Sequence, residues 1–399
     1  MKRYDLITPE GTRDLLFEDC LIRQSVEDKI HHIFKSRGYS EVVTPGLEFY
    51  DVFNLNSGYF PQENLYKLVD NKGRLLVVRP DSTMPIARIV ATRLREASLP
   101  LKLFYNQSVY STNPSMTGRS DEIVQAGIEL IGSYSKRADL EVLSTAIEVL
   151  SACDEDKFRL EIGDIGFFNE LVNQLQVDKN IRENVRRLIE VKNYPALNDL
   201  LDSIGDNKVT YALKQLPRLF GGEEVFEKAS QLFCDEKIDA ILSNLKVIYM
   251  NLTKLGHDGK ITVDLGTANK TDYYTGVVMK GYIQGYGEAV LSGGRYDKLI
   301  SEFGYDIPAT GFAVNIDAVS ALLRRNGNPP TLKIPDVIVF GEEGYEMEAL
   351  IYAQSLKKDG KIVENAVFEN IDEVREYARV KGIKEIVIIN ETNGGLINE

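Results

Sequence analysis

Two glycine-punctuated segments constrain the fold of this chain most: Thr271-Asp-Tyr-Tyr-Thr-Gly276, and Gly293-Gly-Arg-Tyr-Asp297 shortly after it. In an extended strand, neighbouring side chains point to opposite faces. One ring of Tyr273 and Tyr274 would then pack, while the other offers its hydroxyl to a ligand. Glycine lets another strand or a ligand approach the backbone closely. The two segments predict an antiparallel sheet, which is either purely structural or carries a binding site.

A second strand pattern runs from Glu122 to Gly132. Its apolar side chains alternate with Gln125, Gly127 and Glu129, so the two sets fall on opposite faces. A polar face can simply be the solvent side of an antiparallel sheet. The glycine between two polar residues instead favours a ligand lying over the sheet, and the pattern alone leaves both interpretations open.

Composition limits the possible functions of a 399-residue chain with a net charge of −13. The acidic balance makes a nucleic-acid-binding role less expected, since phosphate contacts use lysine and arginine. The three cysteines form no CxxC or Cys/His pattern, so we expect no metal site and a reducing, cytoplasmic location. No histidine has a recognisable nucleophile beside it. We also expect no signal peptide and no membrane span.

The order of periodic segments predicts an α+β fold. A helical pattern at Leu21–Phe34 precedes a short strand at Glu41–Pro45, and several strands follow. Residues from about 165 to 250 are helical in period, which indicates a helical insertion. Strand patterns then return, and the sequence Asn326–Pro330 is typical of a linker. We therefore expect a core domain at 1–330 and a small βαβαβ domain at 331–399.

These segments resemble the histidyl-tRNA synthetase family. Its histidine-recognition motif, Arg-Gly-Leu-Asp-Tyr-Tyr-Thr-Gly, corresponds here to Asn269-Lys-Thr-Asp-Tyr-Tyr-Thr-Gly276. Pro9–Leu15 is similar to the family's entry loop. The helix, strand and proline that end at Pro45 resemble motif 1 of class II synthetases, which forms a dimer interface in that family. The resemblance implies a class II antiparallel sheet flanked by helices.

The resemblance also implies a histidine-binding set. In the family an acidic residue and a threonine meet the substrate amine, and they correspond to Asp81 and Thr83. The glutamine and glutamate of the central strand correspond to Gln125 and Glu129. Glu129 and one tyrosine of the pair Tyr273 and Tyr274 would hold the imidazole, because a carboxylate and a phenol can satisfy both ring nitrogens.

The cations that bind ATP in the family are missing. Motif 2, Phe-Arg-x-Glu, reads Tyr110-Ser-Thr-Asn113, and motif 3, Gly-x-Glu-Arg, reads Asn315-Ile-Asp-Ala318. Ser111, Ala318 and Asn269 thus replace three arginines. Loss of one such donor typically costs about 3–4 kcal/mol in the transition state. We expect no useful adenylation, and therefore no catalytic residue and no cofactor.

A chain that keeps amino-acid recognition and loses ATP recognition is similar to the regulatory subunits of ATP phosphoribosyltransferase. That family implies a non-catalytic role in the first step of histidine biosynthesis, with histidine as effector. It implies a short-form catalytic subunit as partner and a homodimer within a hetero-octamer, without tRNA or membrane. The alternatives are a histidyl-tRNA synthetase with an unusual site and another histidine-adenylating paralogue. The sequence leaves open whether histidine binds in the synthetase-like pocket or at the subunit interface.

Overall fold

The computed structural model describes residues 3–55, 60–113, 120–257, 259–267, 273–326, 329–391 and 397–398. The chain divides into two compact units, Met1–Pro329 and Pro330–Glu399. The structure combines helices with a large, mostly antiparallel sheet, which confirms the predicted α+β class.

The strands of the first unit are β1 Ser40–Glu41, β2 Leu47–Phe49, β3 Lys67–Val69, β4 Leu75–Val78, β5 Leu101–Tyr110, β6 Glu122–Ile131, β7 Phe158–Asp164, β8 Phe220–Gly221, β9 Ile261–Asp264, β10 Val277–Ile283, β11 Leu291–Arg295 and β12 Ala309–Asn315. Its helices are α1 Glu18–Ser36, α2 Thr83–Thr92, α3 Lys136–Cys153, α4 Ile165–Asn173, α5 Lys179–Glu190, α6 Tyr194–Ile204, α7 Lys208–Gln215, α8 Glu224–Leu232, α9 Glu236–Thr253 and α10 Ile316–Asn326.

The large sheet has the strand order β1-β5-β6-β12-β11-β10-β7-β9-β8. From β5 to β7 every neighbouring pair is antiparallel. One face carries the apolar side chains of β6, such as Ala126 and Ile128, which pack into a core with α1 and α3. The opposite face carries Gln125, Gly127 and Glu129, as the alternation predicts. A second core, which includes Tyr105 and α2, lies on that side.

The predicted strand at Glu41–Pro45 is shorter than expected. β1 comprises only Ser40 and Glu41, parallel to β5, and one further backbone bond joins Val42 N to Phe104 O. The pairing ends there because Thr44 turns its amide and hydroxyl towards the side chain of Gln107. Pro45 has no amide hydrogen to continue the ladder.

The segment from α4 to α9 is helical, and five of its six helices begin with a side-chain cap, α8 being the exception. Asp164, Asp178, Asn193, Asn207 and Asp235 each accept a bond from a backbone amide of the first turn. The break at Gly221 forms the short strand β8, which pairs with β9. The insertion is therefore joined to the edge of the large sheet.

The second unit contains β13 Val337–Gly341, α11 Glu346–Lys358, β14 Val363–Asn365, α12 Ile371–Lys381, β15 Glu385–Ile389 and β16 Ile397–Asn398. Its strand order is β14-β13-β15-β16, and the first three strands are parallel. The helices cover opposite faces of β13, each over its own apolar cluster. No helix in the described part of the chain is long and apolar enough to cross a membrane.

Candidate functional site

Tyr273 and Tyr274 do not lie on opposite faces of a strand, so that prediction is wrong. They precede β10, which begins at Val277, and strand alternation does not apply to them. Their ring centroids are 4.8 Å apart, and the ring of Tyr296 meets Tyr273 edge-on at 5.8 Å. The three rings form one aromatic wall above the polar face of the sheet.

Small residues make the floor beneath that wall. Gly311 pairs with Glu129 across β12 and β6, and a Cβ at 311 would lie 2.0 Å from Oε2 of Glu129. Gly294 pairs with Gly311, and a Cβ there would lie 2.9 Å from the ring of Tyr274. Real Cβ atoms do not approach so closely, so these two glycines admit the carboxyl and the ring.

The wall and the floor enclose a cavity of about 190 Å³. It is lined by Phe60, Pro80, Asp81, Thr83, Gln125, Glu129, Tyr273, Tyr274, Ser292, Tyr296, Gly311, Phe312 and Ala313. All six residues that the resemblance assigns to histidine binding lie on this one cavity. It is smaller than the roughly 300–1,000 Å³ typical of drug-sized ligands, and so suits a small molecule such as an amino acid.

Glu129 is the most enclosed ionisable group of the cavity, with 2% of its surface exposed. Thr83 Oγ1 donates to Oε1 at 2.8 Å, and the hydroxyl of Tyr296 donates to Oε2. Burial raises the pKa of Glu129 to about 8, because removal from water disfavours the charged form more than the two hydroxyls stabilise it. Burial in the empty cavity therefore favours the protonated form of Glu129 near neutral pH.

Asp81 has a structural contact as well as a place on the cavity. Its Oδ1 accepts a bond from Met84 N at 2.8 Å at the start of α2, which places the helix cap on Asp81 rather than on Ser82. Burial raises the pKa of Asp81 to about 6, against the effect of the backbone bonds. A positively charged ligand would shift both carboxyls back towards their ionised forms.

Gly127 has a different role from the one its position suggested. A Cβ at 127 would lie 2.4 Å from the hydroxyl of Tyr105, a fully buried ring on the neighbouring strand β5. The space above Gly127 is therefore filled by Tyr105 rather than left for a ligand. The cavity lies beside it, with Gln125 and Glu129 both on its lining.

Tyr296 is the site residue that the sequence analysis missed. It belongs to the Gly293–Asp297 segment, in which the glycines, and not the tyrosine, carry the sequence prediction.

Arg295, next to Tyr296, is buried. It donates to Asp139 of α3 through Nε at 2.9 Å and to Ser133 O through Nη1 at 3.1 Å. The backbone oxygen of Arg295 accepts from Thr275 N at 2.7 Å. Arg295 thus ties together the segments that carry Tyr296 and Tyr274.

The lining of the cavity contains two carboxyls and, among the described residues, no lysine or arginine. Asn269, where the family has an arginine, lies outside the described residues. The acidic lining favours a ligand with one or two positive centres, such as an ammonium group and an imidazole. In the described residues no group of three metal-binding side chains is present.

A larger cavity of about 550 Å³ adjoins the first and shares Pro80 and Gln125 with it. Two positions where the family has an arginine, Ser111 and Ala318, line this cavity, as does Asn113. Neutral side chains therefore stand on the lining where a synthetase would present cations to a triphosphate.

The charges that remain around the larger cavity are mostly negative. Among the described residues, its lining has one arginine, Arg13, and three acids, Asp121, Glu288 and Asp317. Arg13 donates to Oδ1 of Asp317 at 3.1 Å, so its charge is already paired. The described part of this lining therefore carries a net negative charge, whereas catalysis of phosphoryl and adenylyl transfer depends on cations.

Comparisons with known proteins agree with this geometry. Residues 11–319 match the family described as histidyl-tRNA synthetase. A histidyl-tRNA synthetase structure from a Nostoc species aligns with a TM-score of 0.77 over 98% of this chain and 93% of that one. At 21% identity this match shows the fold alone. The class is therefore a histidyl-tRNA synthetase-like protein with the class II fold.

Relatives define the family more narrowly. The ATP phosphoribosyltransferase regulatory subunit of Clostridium kluyveri is 42% identical over 386 residues, which cover 95% of this chain and 98% of the relative. A Bacillus cereus protein of the same name is 38% identical over 400 residues, covering 100% and 94%. The chain belongs to the family of ATP phosphoribosyltransferase regulatory subunits.

A solved structure from Bacillus halodurans supports the assignment. It is described as an ATP phosphoribosyltransferase regulatory subunit/histidyl-tRNA synthetase. It is 30% identical, with a TM-score of 0.86 over 97% of this chain and 99% of that one. The predicted resemblance and fold class are confirmed.

Proposed function

We propose that this chain is a non-catalytic regulatory subunit of ATP phosphoribosyltransferase that makes the first step of histidine biosynthesis sensitive to histidine. The observation that carries the proposal is the contrast between the two neighbouring cavities. The smaller one keeps Glu129, Asp81 and the tyrosines, whereas the larger one has Ser111 and Ala318 in place of arginines. The protein would recognise an amino acid without activating it.

In the proposed complex, histidine occupies the cavity of about 190 Å³. Glu129 and a tyrosine of the pair Tyr273 and Tyr274 hold the imidazole, with Gln125 beside them. Asp81 and Thr83 meet the ammonium group. Such a site rejects analogues that lack the ring nitrogens, because they leave a buried carboxyl unpaired.

The partner would be a short-form ATP phosphoribosyltransferase catalytic subunit, and two copies of this chain would form a homodimer within a hetero-octamer. The chain would act in the cytoplasm, with domains at about 1–330 and 331–399, and would not bind tRNA. The acidic net charge of −13 supports the absence of tRNA binding, because phosphate contacts need an excess of basic side chains.

The test combines this chain with a short-form catalytic subunit and measures phosphoribosyl transfer with and without histidine. We expect the two proteins to co-purify, transfer to require this chain, and histidine to inhibit it. A Glu129→Gln variant should form the same complex and respond to histidine only at much higher concentration. If both complexes are inhibited equally, histidine acts elsewhere, for example at the interface with the catalytic subunit.

A further inference from the structure

A third cavity, of about 280 Å³, lies where α1 and α10 pack together, outside the proposed histidine site. Its lining includes four arginines from three parts of the chain: Arg13 from the loop before α1, Arg23 from α1, and Arg324 and Arg325 from the end of α10. Residues so distant in sequence converge only through the fold. A chain with a net charge of −13 thus has a locally basic cavity.

Carboxylates neutralise only part of this charge. The cavity lining has two acids, Asp317 and Asp19. Asp317 Oδ1 accepts from both Arg13, at 3.1 Å, and Arg23, at 2.8 Å, and Asp19 pairs with Arg324. Four arginines against two aspartates leave two positive charges. Arg325 has no carboxylate partner in the part of the chain that the structure describes. Its Nη1 donates a long hydrogen bond, of 3.5 Å, to the backbone oxygen of Gly285.

Two buried polar atoms on the lining also lack partners within the described residues. They are Nε of Arg23 and Oγ of Ser320. A buried donor without an acceptor destabilises a fold, so such an atom indicates a position where a ligand or an ordered water binds. Arg23 Nε can only donate, which means that its missing partner must carry an acceptor oxygen or a comparable atom.

We propose that this cavity, between α1 and α10, binds a small phosphate-bearing anion with at least two negative charges. Phosphate oxygens fit the planar donor fork of arginine, and two uncompensated charges match a doubly charged group. Arg23 Nε and Ser320 Oγ would contact the anion from inside the cavity, and Arg325 would close over it from the exposed side. Inorganic phosphate, pyrophosphate and the terminal phosphates of a nucleotide share this chemistry.

The site goes beyond the proposed function and does not depend on it, because the histidine cavity contains none of these arginines. The third cavity is nevertheless next to the larger one of about 550 Å³, because Arg13 and Asp317 line both. An anion that draws Arg13 or Arg23 away from Asp317 would free a carboxylate towards the larger cavity. Anion binding would thereby change the charge of that lining.

The test is calorimetric titration of the full chain with phosphate, pyrophosphate and metal-free ATP in separate experiments, at low chloride concentration. We expect saturable binding that weakens with added potassium chloride. Arg325→Gln should weaken binding about tenfold or more, because a charge-assisted bond is lost. Arg379→Gln, which alters an exposed arginine paired with Glu376 in the second unit, is the matched control and should bind as wild type does.

Arg23→Gln provides a second variant, which removes the inner donor, and its folding is checked by circular dichroism. The comparison of the three anions identifies which phosphate source fits best. Absence of saturation by all three below about 10 mM would overturn the proposal, as would equal binding by the Arg325→Gln and wild-type chains. Binding of a hexaglutamate peptide without binding of any phosphate would also overturn it, in favour of a protein partner. Histidine titration of the same variants should be unchanged, so the two proposals fail independently.

Discussion

The hydroxyl of Tyr296 donates a hydrogen bond to Oε2 of Glu129 across the floor of the smaller cavity. Thr83 donates to the other oxygen, so both oxygens of the carboxyl already have a partner in the empty cavity. Once a ligand has ionised Glu129, its carboxylate can accept about four hydrogen bonds, which leaves room for an imidazole. Tyr296 therefore orients Glu129 without using all of its hydrogen-bonding capacity.

Replacing Glu129 by glutamine should stabilise the empty protein at alkaline pH. Burial raises the pKa of Glu129 to about 8 in the folded protein, from an ordinary value of 4.5. The contribution of a raised carboxyl pKa to stability is fully present below the unfolded pKa and is lost as pH rises through the folded one. The wild-type melting temperature should fall relative to Glu129→Gln between pH 5 and pH 9, which thermal unfolding would measure. An unchanged difference across that range would contradict the assignment, and Glu10→Gln, at an exposed position, is the control.

Histidine affinity should depend on pH in a bell-shaped manner. Between about pH 6.5, where free imidazole loses its proton, and pH 8, the protonated Glu129 and the neutral imidazole bring one shared proton to the complex. Binding then needs no net proton exchange. Below pH 6 protons must be released, including that of Asp81, and above pH 8 one must be taken up. Calorimetry in buffers of different ionisation enthalpy measures this exchange, and affinity that keeps rising through pH 9 would refute it.

Histidine analogues should show that the ammonium group of the ligand contributes more to affinity than its carboxylate does. The lining has Asp81 for an ammonium group and, among the described residues, no cation for a carboxylate. Histidinol, which lacks the carboxylate, should bind within about tenfold of histidine, whereas imidazole propionate, which lacks the ammonium, should bind far more weakly. Asp81→Asn keeps a capping side chain for Met84 N and removes the charge. It should therefore narrow the difference in affinity between histidine and imidazole propionate. A much weaker affinity for histidinol would indicate an additional cation.

The protein should not form histidyl-adenylate. Ser111 and Ala318 are neutral at two positions where the family has arginines, which stabilise the transferring phosphate. Histidine-dependent exchange of pyrophosphate into ATP should therefore equal the no-enzyme blank, with an active histidyl-tRNA synthetase as positive control. Exchange above the blank would favour the synthetase alternative.

The homodimer predicted from the motif 1 resemblance should depend on apolar side chains near β1 and β2. Val43 is 79% exposed, and Leu47 and Phe49 are also exposed, although all three are apolar. Val43→Asp should shift the mass measured by light scattering towards the monomer at micromolar concentration. Val367→Asp, at an 89% exposed position of the second unit, is the matched control. A wild-type monomer at that concentration would contradict the prediction.

The sequence predicted the large sheet and the polar face of β6 because alternation and glycine content are local properties. Matching motifs then found Asp81, Thr83 and Glu129, which the fold brings together from distant segments. The sequence did not predict Tyr296 as a partner of Glu129, because that contact depends on the register of β6, β12 and β11. It also misjudged Tyr273 and Tyr274, since the strand begins only at Val277 and the preceding backbone turns both rings to one side.

The role of Gly127 shows the same limit of sequence analysis. A glycine in a polar strand indicates that something approaches closely, but the sequence cannot say whether a ligand or a neighbouring ring does so. Here the neighbour is Tyr105 of β5, paired directly with Gly127. Likewise, Arg295 stood close to the tyrosines in sequence, yet its guanidinium pairs with Asp139 of α3 and is unavailable to a ligand.

Pro80 and Gln125 form a boundary common to the histidine cavity and the larger, acidic one beside it. A small molecule that reached the smaller cavity by way of the larger one would pass Asp121, Glu288 and Asp317 before it met Glu129. Acidic amino acids would be repelled on this route, while cationic ones would be concentrated. Selection among amino acids would then proceed in two stages, first by overall charge in the outer cavity and afterwards by ring shape over Gly311. On this route the larger cavity would serve as an electrostatic filter.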